Sequence, residues 1–193
     1  LSSLIPIKKL QRYSLTRKLR KSKAGLSFTD HMTETLAIEL AEYCAGRYPA
    51  NQVGLFKDKR FWMYRYAAPH QDYRFIVLKV GPATTGYACY MESVGSRNGM
   101  RHVKLLDISA LTDACFDLLI SAIETRTYSK LMLAYMSSPA TTEARRIGRR
   151  FRIVKYEHCN NASDNILVKP ICTETDVTGP HAWGLSYIDI DSM

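Results

Sequence analysis

The chain of 193 residues is long enough to bury the core of one globular domain. Hydrophobic residues make up 46% of it and charged residues 23%, which excludes intrinsic disorder for most of its length. The net charge of +9 is unevenly placed, because residues 1–25 hold eight basic side chains and no acidic one, whereas the remainder holds nineteen basic and eighteen acidic side chains. We therefore expect a basic helical leader or linker over residues 1–24, joining an upstream segment of the same protein to a nearly neutral domain over residues 25–193.

Apolar stretches and cysteines narrow the class of protein further. The longest uncharged apolar runs, residues 75–78 and 131–136, are far shorter than the roughly 20 residues of a membrane-spanning helix. The leader has neither the apolar core nor the cleavage site of a secretory signal. The five cysteines show no C-x-x-C or other zinc-ligand spacing. We expect a cytoplasmic protein with reduced thiols, no membrane span and no metal site.

Helical periodicity dominates the first third of the chain. It predicts a helix over residues 8–23, a short strand over 26–30, and a helix over 33–47 with Thr33 or Thr35 as its N-cap. An aromatic-rich helix follows and ends before Pro69, because proline cannot continue a helix.

The period changes to that of strands after residue 70. Strands are predicted over residues 73–80, 85–94 and 100–108, separated by turn residues. Ser109 offers an N-cap for a helix that ends near Arg126. The remaining predicted elements are a strand over 131–136, a helix over 139–150, and strands over 151–157, 165–169 and 183–191. The order predicts one three-layer α/β domain with a mixed central sheet, in which strands 103–108 and 131–136 are parallel neighbours.

The succession of elements over residues 24–170 resembles the GNAT (Gcn5-related N-acetyltransferase) superfamily. Residues 144–153 are similar to the helix-to-strand passage where that superfamily has a Gly-Phe pair. Residues 59–66, 103–108 and 183–191 resemble GNAT-like domains of bacterial proteins associated with surface-polysaccharide gene sets. The resemblance implies an acyl-CoA N-acyltransferase fold that binds acyl-CoA where two central parallel strands splay apart, with an amine acceptor on the other side.

The resemblance also implies where catalytic groups belong. The reaction needs a base for the ammonium and an acid for the leaving thiolate. Glu92 is the candidate base, Tyr135 is the candidate acid, and Asp107 is a further catalytic candidate at the end of the first of the two parallel strands. Each has a structural alternative: Asp107 as a helix-capping group, Glu92 as a solvated strand residue, and Tyr135 as a core residue with a bonded hydroxyl.

The implied co-substrate is acyl-CoA or a related acyl-carrier thioester, which would contact the strand ends at Ile108, Ser109 and Ser137. The superfamily binds the pyrophosphate with a glycine-rich loop, but residues 107–113 contain no glycine and two carboxylates. The tyrosine expected before the Gly-Phe pair is also missing, since the matching position is Ala144 or Arg146.

A cluster of arginines on the predicted helix 139–150 offers a substitute for that loop. Arg145 and Arg149 would supply the phosphate contacts, or the cluster forms a solvated face. Aromatic side chains at Trp62, Tyr66 and Tyr90 would line the acceptor side, or they pack in the core.

Three functions follow from these features. The favoured one is transfer of an acyl group to an amine of a small metabolite or sugar precursor. The alternative is a catalytically silent GNAT-like binding module of a larger protein, which the missing glycine loop favours. Nucleic-acid binding by the leader and the arginine helix comes third, because no base-reading or stacking motif accompanies the cations.

Overall fold

The computed structural model describes residues 7–47, 57–67, 72–94, 101–127, 131–134 and 142–150. They form ten elements in the predicted order. The elements are α1 (Ile7–Ser22), β1 (Ala24–Thr29), α2 (Glu34–Ala45), α3 (Lys59–Tyr66), β2 (Arg74–Val80), β3 (Ala83–Val94), β4 (Arg101–Ala110), α4 (Asp113–Arg126), β5 (Leu131–Ala134) and α5 (Thr142–Arg150). The three strands predicted after residue 150 lie outside the described residues.

The strands form one mixed sheet in the order β1-β2-β3-β4-β5. The first four strands are antiparallel to their neighbours, and β5 pairs with β4 in parallel. This confirms the prediction that the strands on either side of α4 are parallel neighbours, since α4 supplies the crossover that a parallel pair requires.

Helix starts follow local capping chemistry. The side chain of Thr33 accepts a hydrogen bond from the Leu36 amide at 3.1 Å, as predicted for α2. Asp58 caps α3 in the same way. The prediction of Ser109 as the cap of α4 is wrong: β4 continues to Ala110, and Thr112 caps α4 by accepting from the Cys115 amide. Asp107 also lies within β4, so it is not a helix cap either.

Two hydrophobic clusters cover the two faces of the sheet. One cluster joins α4, Leu15 of α1 and Ile147 of α5 to residues such as Ile76 of β2. The other joins α2 and α3 to the opposite side of the same strands, for example Phe75. The described residues therefore form a three-layer α/β domain with a mixed central sheet, as predicted.

The basic helix α1 takes part in this packing. Leu15 is 8% exposed and belongs to the cluster on the α4 side, and Leu19 packs against the same cluster. The outward side carries cations instead of apolar groups. The division of the chain at residue 24 stays a prediction, although α1 contributes a core side chain. No helix in the described segments is long and apolar enough to cross a membrane.

A β-bulge in β4 changes which face its side chains occupy. Tyr90 of β3 pairs with Leu105, whereas the preceding residue Cys89 pairs with Asp107, so Leu106 is the extra residue. Leu105 belongs to the cluster on the α4 side and Leu106 to the cluster on the α2 side. Because side chains alternate along a strand, the extra residue turns Asp107 toward α2 and α3 instead of α4.

Candidate functional site

The candidate site lies at the end of β4 that leads into α4. The described pairing of β4 with β5 runs from His102↔Leu131 to Leu105↔Ala134. On its other side β4 stays paired with β3 as far as Ala110, which lies opposite Gly86. The bulge at Leu106 therefore follows directly after the last described pair with β5. The acyl donor is predicted at this place from the resemblance of the sequence.

Asp107 is the centre of a buried polar network at the bulge. The ammonium group of Lys57 donates to Asp107 Oδ2 at 2.8 Å, and the side chains are 3% and 4% exposed. The hydroxyl of Tyr87 donates to the same oxygen at 2.9 Å. The thiol of Cys44 in turn donates to Tyr87 Oη at 3.7 Å. The network links α2, the start of α3, β3 and β4 inside an otherwise apolar cluster.

The charges of this network compensate each other. Burying a single carboxylate among aromatic side chains is strongly unfavourable, but a paired carboxylate with hydrogen-bond donors is tolerated. Asp107 Oδ2 therefore accepts from a cation and a phenol at once. In this arrangement Asp107 fixes Lys57, and with it the start of α3, against β4.

Two thiols beside the network are held in their neutral form. Burial raises the pKa of Cys44 to about 11, and the carboxylate of Asp107 adds to the rise. Burial also raises the pKa of Cys89 well above its ordinary value, partly offset by the hydroxyl of Tyr66. Neither thiol is prepared as a nucleophile, because the thiolate is the reactive form.

Arginines converge on the junction between β4 and α4. The backbone carbonyl of Ala110 accepts from Arg47 at 3.0 Å and from Arg146 at 2.7 Å. Arg146 also donates through Nε to Asp113 Oδ1 at 2.7 Å, and Arg149 donates to Asp113 Oδ2 at 3.1 Å. The hydrogen bond from Arg146 is the main cause that lowers the pKa of Asp113.

The junction therefore carries a surplus of positive charge. Arg146 and Arg149 pair with the carboxylate of Asp113, and the guanidinium group of Arg47 reaches the junction through the Ala110 carbonyl. The two carboxylates of residues 107–113 are both paired, Asp107 with Lys57 and Asp113 with two arginines.

The sheet divides the predicted site residues between its two faces. Trp62, Tyr66 and Asp107 lie on the side of α2 and α3, where Trp62 stacks on Tyr66 and meets the edge of Tyr87. Ser109 pairs with Tyr87 and shares that face. These residues are brought together, and the buried Nε1 of Trp62 has no hydrogen-bond acceptor within the described segments.

Tyr90, Glu92 and Ile108 lie on the opposite face. Tyr90 and Ile108 are buried in the cluster on the α4 side, and Glu92 follows Tyr90 by two residues along β3. Arg74 forms an ion pair with Glu92, and burial raises the pKa of the Tyr90 hydroxyl. The predicted grouping of Tyr90 with Trp62 and Tyr66 in one wall is thus corrected, because the sheet separates them.

The remaining predicted residues have different outcomes. Arg149 reaches the junction through Asp113, whereas Arg145 is exposed and contacts only Thr142 among the contacts described. Tyr135 and Ser137 lie outside the described residues. The roles of all these residues stay predictions.

Four side chains that define the geometry were not predicted from the sequence. Arg146 was visible within the arginine cluster, but periodicity does not show which member of the cluster turns inward. Lys57, Tyr87 and Arg47 carried no local signal, since each partner is distant in sequence. Within the described residues no group of three or more His, Cys, Asp or Glu side chains is placed to hold a metal ion.

Comparison with known proteins gives similarities at the level of shape. The sequence matches no protein-family model and no curated protein. Its structure is similar to a ribosomal-protein-alanine N-acetyltransferase from Brucella melitensis biovar Abortus 2308, with 16% identity, a TM-score of 0.44, and coverage of 68% of this chain and 94% of that one.

Two further solved structures are similar to this chain. An aminoglycoside acetyltransferase from an uncultured soil metagenomic sample, in complex with sisomicin, shares 10% identity at a TM-score of 0.48, covering 70% of this chain and 95% of its own. The aminoglycoside N-acetyltransferase AAC(6')-Iy in complex with CoA shares 14% identity at a TM-score of 0.45, covering 69% and 94%. The fold given above rests on the strand pairing and packing of this chain itself.

Proposed function

We propose that the chain is an N-acyltransferase that transfers an acyl group from acyl-CoA or a related carrier thioester to an amine of a small metabolite or sugar precursor. The observation that carries the proposal is the arginine-rich junction at the end of β4, beside the parallel pair β4–β5. Arg146 and Arg149 bring positive charge to the start of α4 from another helix, where a phosphate group would find guanidinium donors.

The two faces of the sheet would have different roles, and the acceptor would bind on the side of α2 and α3. Trp62 and Tyr66 are buried in the cluster on the side of α2 and α3, Asp107 lies on that side, and an acceptor would approach the sheet from there. Asp107 is therefore a better candidate for the base than Glu92, which is paired with Arg74 on the other face. A role as base requires Lys57 to loosen its contact with Asp107, because the carboxylate is buried and bonded. Positioning of the two reactants is then the main contribution of the described residues.

The test has two parts. Binding of acetyl-CoA is measured by calorimetry and by thermal shift, and activity is measured as thiol release with a panel of amino sugars and diamines. Saturable stabilisation and amine-dependent release of thiol are expected. Arg149→Ala should weaken binding of acetyl-CoA several-fold, whereas Arg60→Ala, a change at an exposed arginine of α3, should not. Absence of both binding and turnover with any thioester donor would refute the proposal.

A catalytically silent binding module is the second candidate. It is favoured by the junction itself, where Asp113 already occupies the guanidinium groups of Arg146 and Arg149, and by the burial of Asp107. The same assays separate the two functions. Saturable binding of a thioester without turnover over the whole amine panel would support the silent module.

A further inference from the structure

The C-terminal end of α1 and the start of α4 lie at the same end of the sheet. Ala24, the first residue of β1, pairs with Val80 at the end of β2, and Val80 pairs with Ala83 at the start of β3. Gly86, near that start, pairs with Ala110 at the end of β4. Both helices also pack on the same face, because Leu15 of α1 and the buried side of α4 share one cluster. The two helix ends therefore lie on the same face of the sheet, at one edge of the domain.

The helix α1 carries a row of cations to this edge. The side chains of Arg17, Lys18, Arg20, Lys21 and Lys23 are exposed, and none has an acidic partner within the described part of the chain. Leu15 and Leu19 face the core, so the apolar side of the helix is not available for insertion into a lipid surface. The charges instead form a fixed basic surface.

The arginine junction extends this surface along the edge. Arg145 and Arg149 of α5 are exposed, and Arg149 pairs with Asp113 at the start of α4. We call the cations at positions 20, 21 and 23 of α1, together with those at 145 and 149 of α5, the basic edge. Its members come from α1 and α5, which pack on the same face of the sheet as α4.

The junction between β4 and α4 does not offer the cradle that a pyrophosphate needs. Residues 107–113 contain no glycine, so successive amides are not freed to face two phosphates. The hydroxyl of Thr112 already accepts from the Cys115 amide, and Asp113 places a carboxylate at the first turn of α4. An acyl donor that carries one phosphate group and a separate acidic surface therefore fits the β4–α4 junction and the basic edge better than a nucleotide does.

We propose that the basic edge docks an acidic carrier protein that presents the acyl group as a thioester on a phosphopantetheine arm. The inference rests on the proposed function and narrows its donor. Charge complementarity between an acidic partner and the basic edge would steer the encounter and fix the orientation of the arm. The arm would then enter beside β4, past the last described pair with β5.

Transfer from the carrier makes and breaks the same bonds as transfer from acyl-CoA. The acceptor ammonium loses a proton to the base, for which Asp107 is the candidate, and its nitrogen forms a bond to the thioester carbonyl carbon. The carbon–sulfur bond breaks, the sulfur takes the second proton from nitrogen, and the free thiol stays on the arm of the carrier. No oxidant, reductant or metal is needed.

The test compares the same acetyl group on three donors: an acyl carrier protein of type II fatty-acid synthesis, CoA, and pantetheine. Binding to the full chain is measured by calorimetry at two salt concentrations, and thiol release is measured with the amine panel. We expect the acetylated carrier to bind at least tenfold more tightly than acetyl-CoA, with an affinity that falls as salt increases.

Charge reversal locates the contact. Arg20→Glu with Lys21→Glu should weaken binding of the carrier at least tenfold more than it weakens binding of acetyl-CoA. The matched control Arg60→Glu reverses an equally exposed cation on α3, which lies on the opposite face, and should leave carrier binding unchanged. Circular dichroism checks that each variant is folded.

Each other outcome rejects the inference in a distinguishable way. If acetyl-CoA binds and reacts as well as the carrier, the acyltransferase remains and the carrier is wrong. If neither donor binds saturably, the proposed function fails as well. If random duplex DNA binds the basic edge and displaces the carrier, the edge is a nucleic-acid surface and the inference is overturned.

Discussion

Lys57 Nζ lies 2.8 Å from Asp107 Oδ2, and both side chains are almost completely removed from solvent. Asp107→Asn would leave the ammonium group buried without its counter-charge. We expect this change to lower the free energy of unfolding by about 3–5 kcal/mol, the range found when one partner of a buried ion pair is removed. Urea denaturation followed by circular dichroism measures the difference.

Removing both charges provides the control. Lys57→Met combined with Asp107→Leu should recover most of the lost stability, because a buried ion pair and an apolar pair of similar volume are often equivalent. The exposed pair Lys59–Glu34 offers a second comparison, and Lys59→Ala should leave the urea midpoint nearly unchanged. A double variant no more stable than Asp107→Asn would contradict this account of the network.

Gly86 lies where the neighbouring strand and α4 leave no space for a side chain. A Cβ atom at this position would lie 2.9 Å from the carbonyl oxygen of Ser109 and 3.1 Å from Leu119 Cδ1. Gly86→Ala should therefore destabilise the domain by about 1–3 kcal/mol through overpacking. Thermal or urea unfolding checks the value.

Gly25 is the matched control for this change. It lies in β1, and a Cβ atom there would meet nothing within 4 Å. Gly25→Ala should be neutral or slightly stabilising, because alanine restricts the unfolded chain more than glycine does. Equal losses at the two positions would show that steric contact with Ser109 and Leu119 is not the cause.

Much of the fold could be predicted from the sequence, because periodicity and turn residues act locally. They predicted the order of the elements and the parallel pairing of β4 with β5. The bulge at Leu106 could not be predicted, since a run of buried residues on both sides of β4 hides any break in alternation. That single extra residue decides the face of Asp107, so the site could be predicted only in part. Lys57 and Arg47 gain their roles from partners more than 45 residues away in the chain.

Arg146 and Arg149 are expected to differ although both reach Asp113. Arg146 is 9% exposed and also donates to the Ala110 carbonyl, whereas the Arg149 side chain is 73% exposed. Arg146→Ala should lower the free energy of unfolding by about 1.5–3 kcal/mol, as expected for buried hydrogen bonds from a charged group. Arg149→Ala should have little effect on urea unfolding.

Acid provides a further check on this contact. Because Arg146 lowers the pKa of Asp113, their interaction stabilises the fold above the ordinary pKa of the carboxyl and is lost as pH falls through the lowered value. The difference in stability between wild type and Arg146→Ala should therefore shrink in acid. A constant difference from neutral pH down to strongly acidic pH would assign the effect to the Ala110 carbonyl alone.

The buried thiol of Cys44 should make the folded protein less stable in alkali. Its pKa is raised to about 11 in the fold from an ordinary value of 9.0, so the folded state holds the proton more tightly than the unfolded state. Stability contributed by the neutral thiol is complete below pH 9 and is lost as pH rises toward 11. The loss is about 3 kcal/mol for a shift of this size.

The comparison variant for this prediction is Cys44→Ala. It has no thiol to ionise at this position, so its stability should fall less steeply between pH 9 and 11 than that of the wild type. Urea midpoints measured at several pH values give both slopes. Parallel curves for the two proteins would show that other groups cause the alkaline loss.

The carbonyl oxygen of Ala110 joins three parts of the chain that are remote in sequence. Arg47 reaches it from the end of α2 on one face, and Arg146 reaches it from α5 on the other. Since the acceptor is a peptide oxygen, no side-chain replacement at position 110 can delete it. Helices on opposite faces therefore share a mechanical link that depends only on the donors, and loosening α5 should speed amide hydrogen exchange at the C-terminal turn of α2.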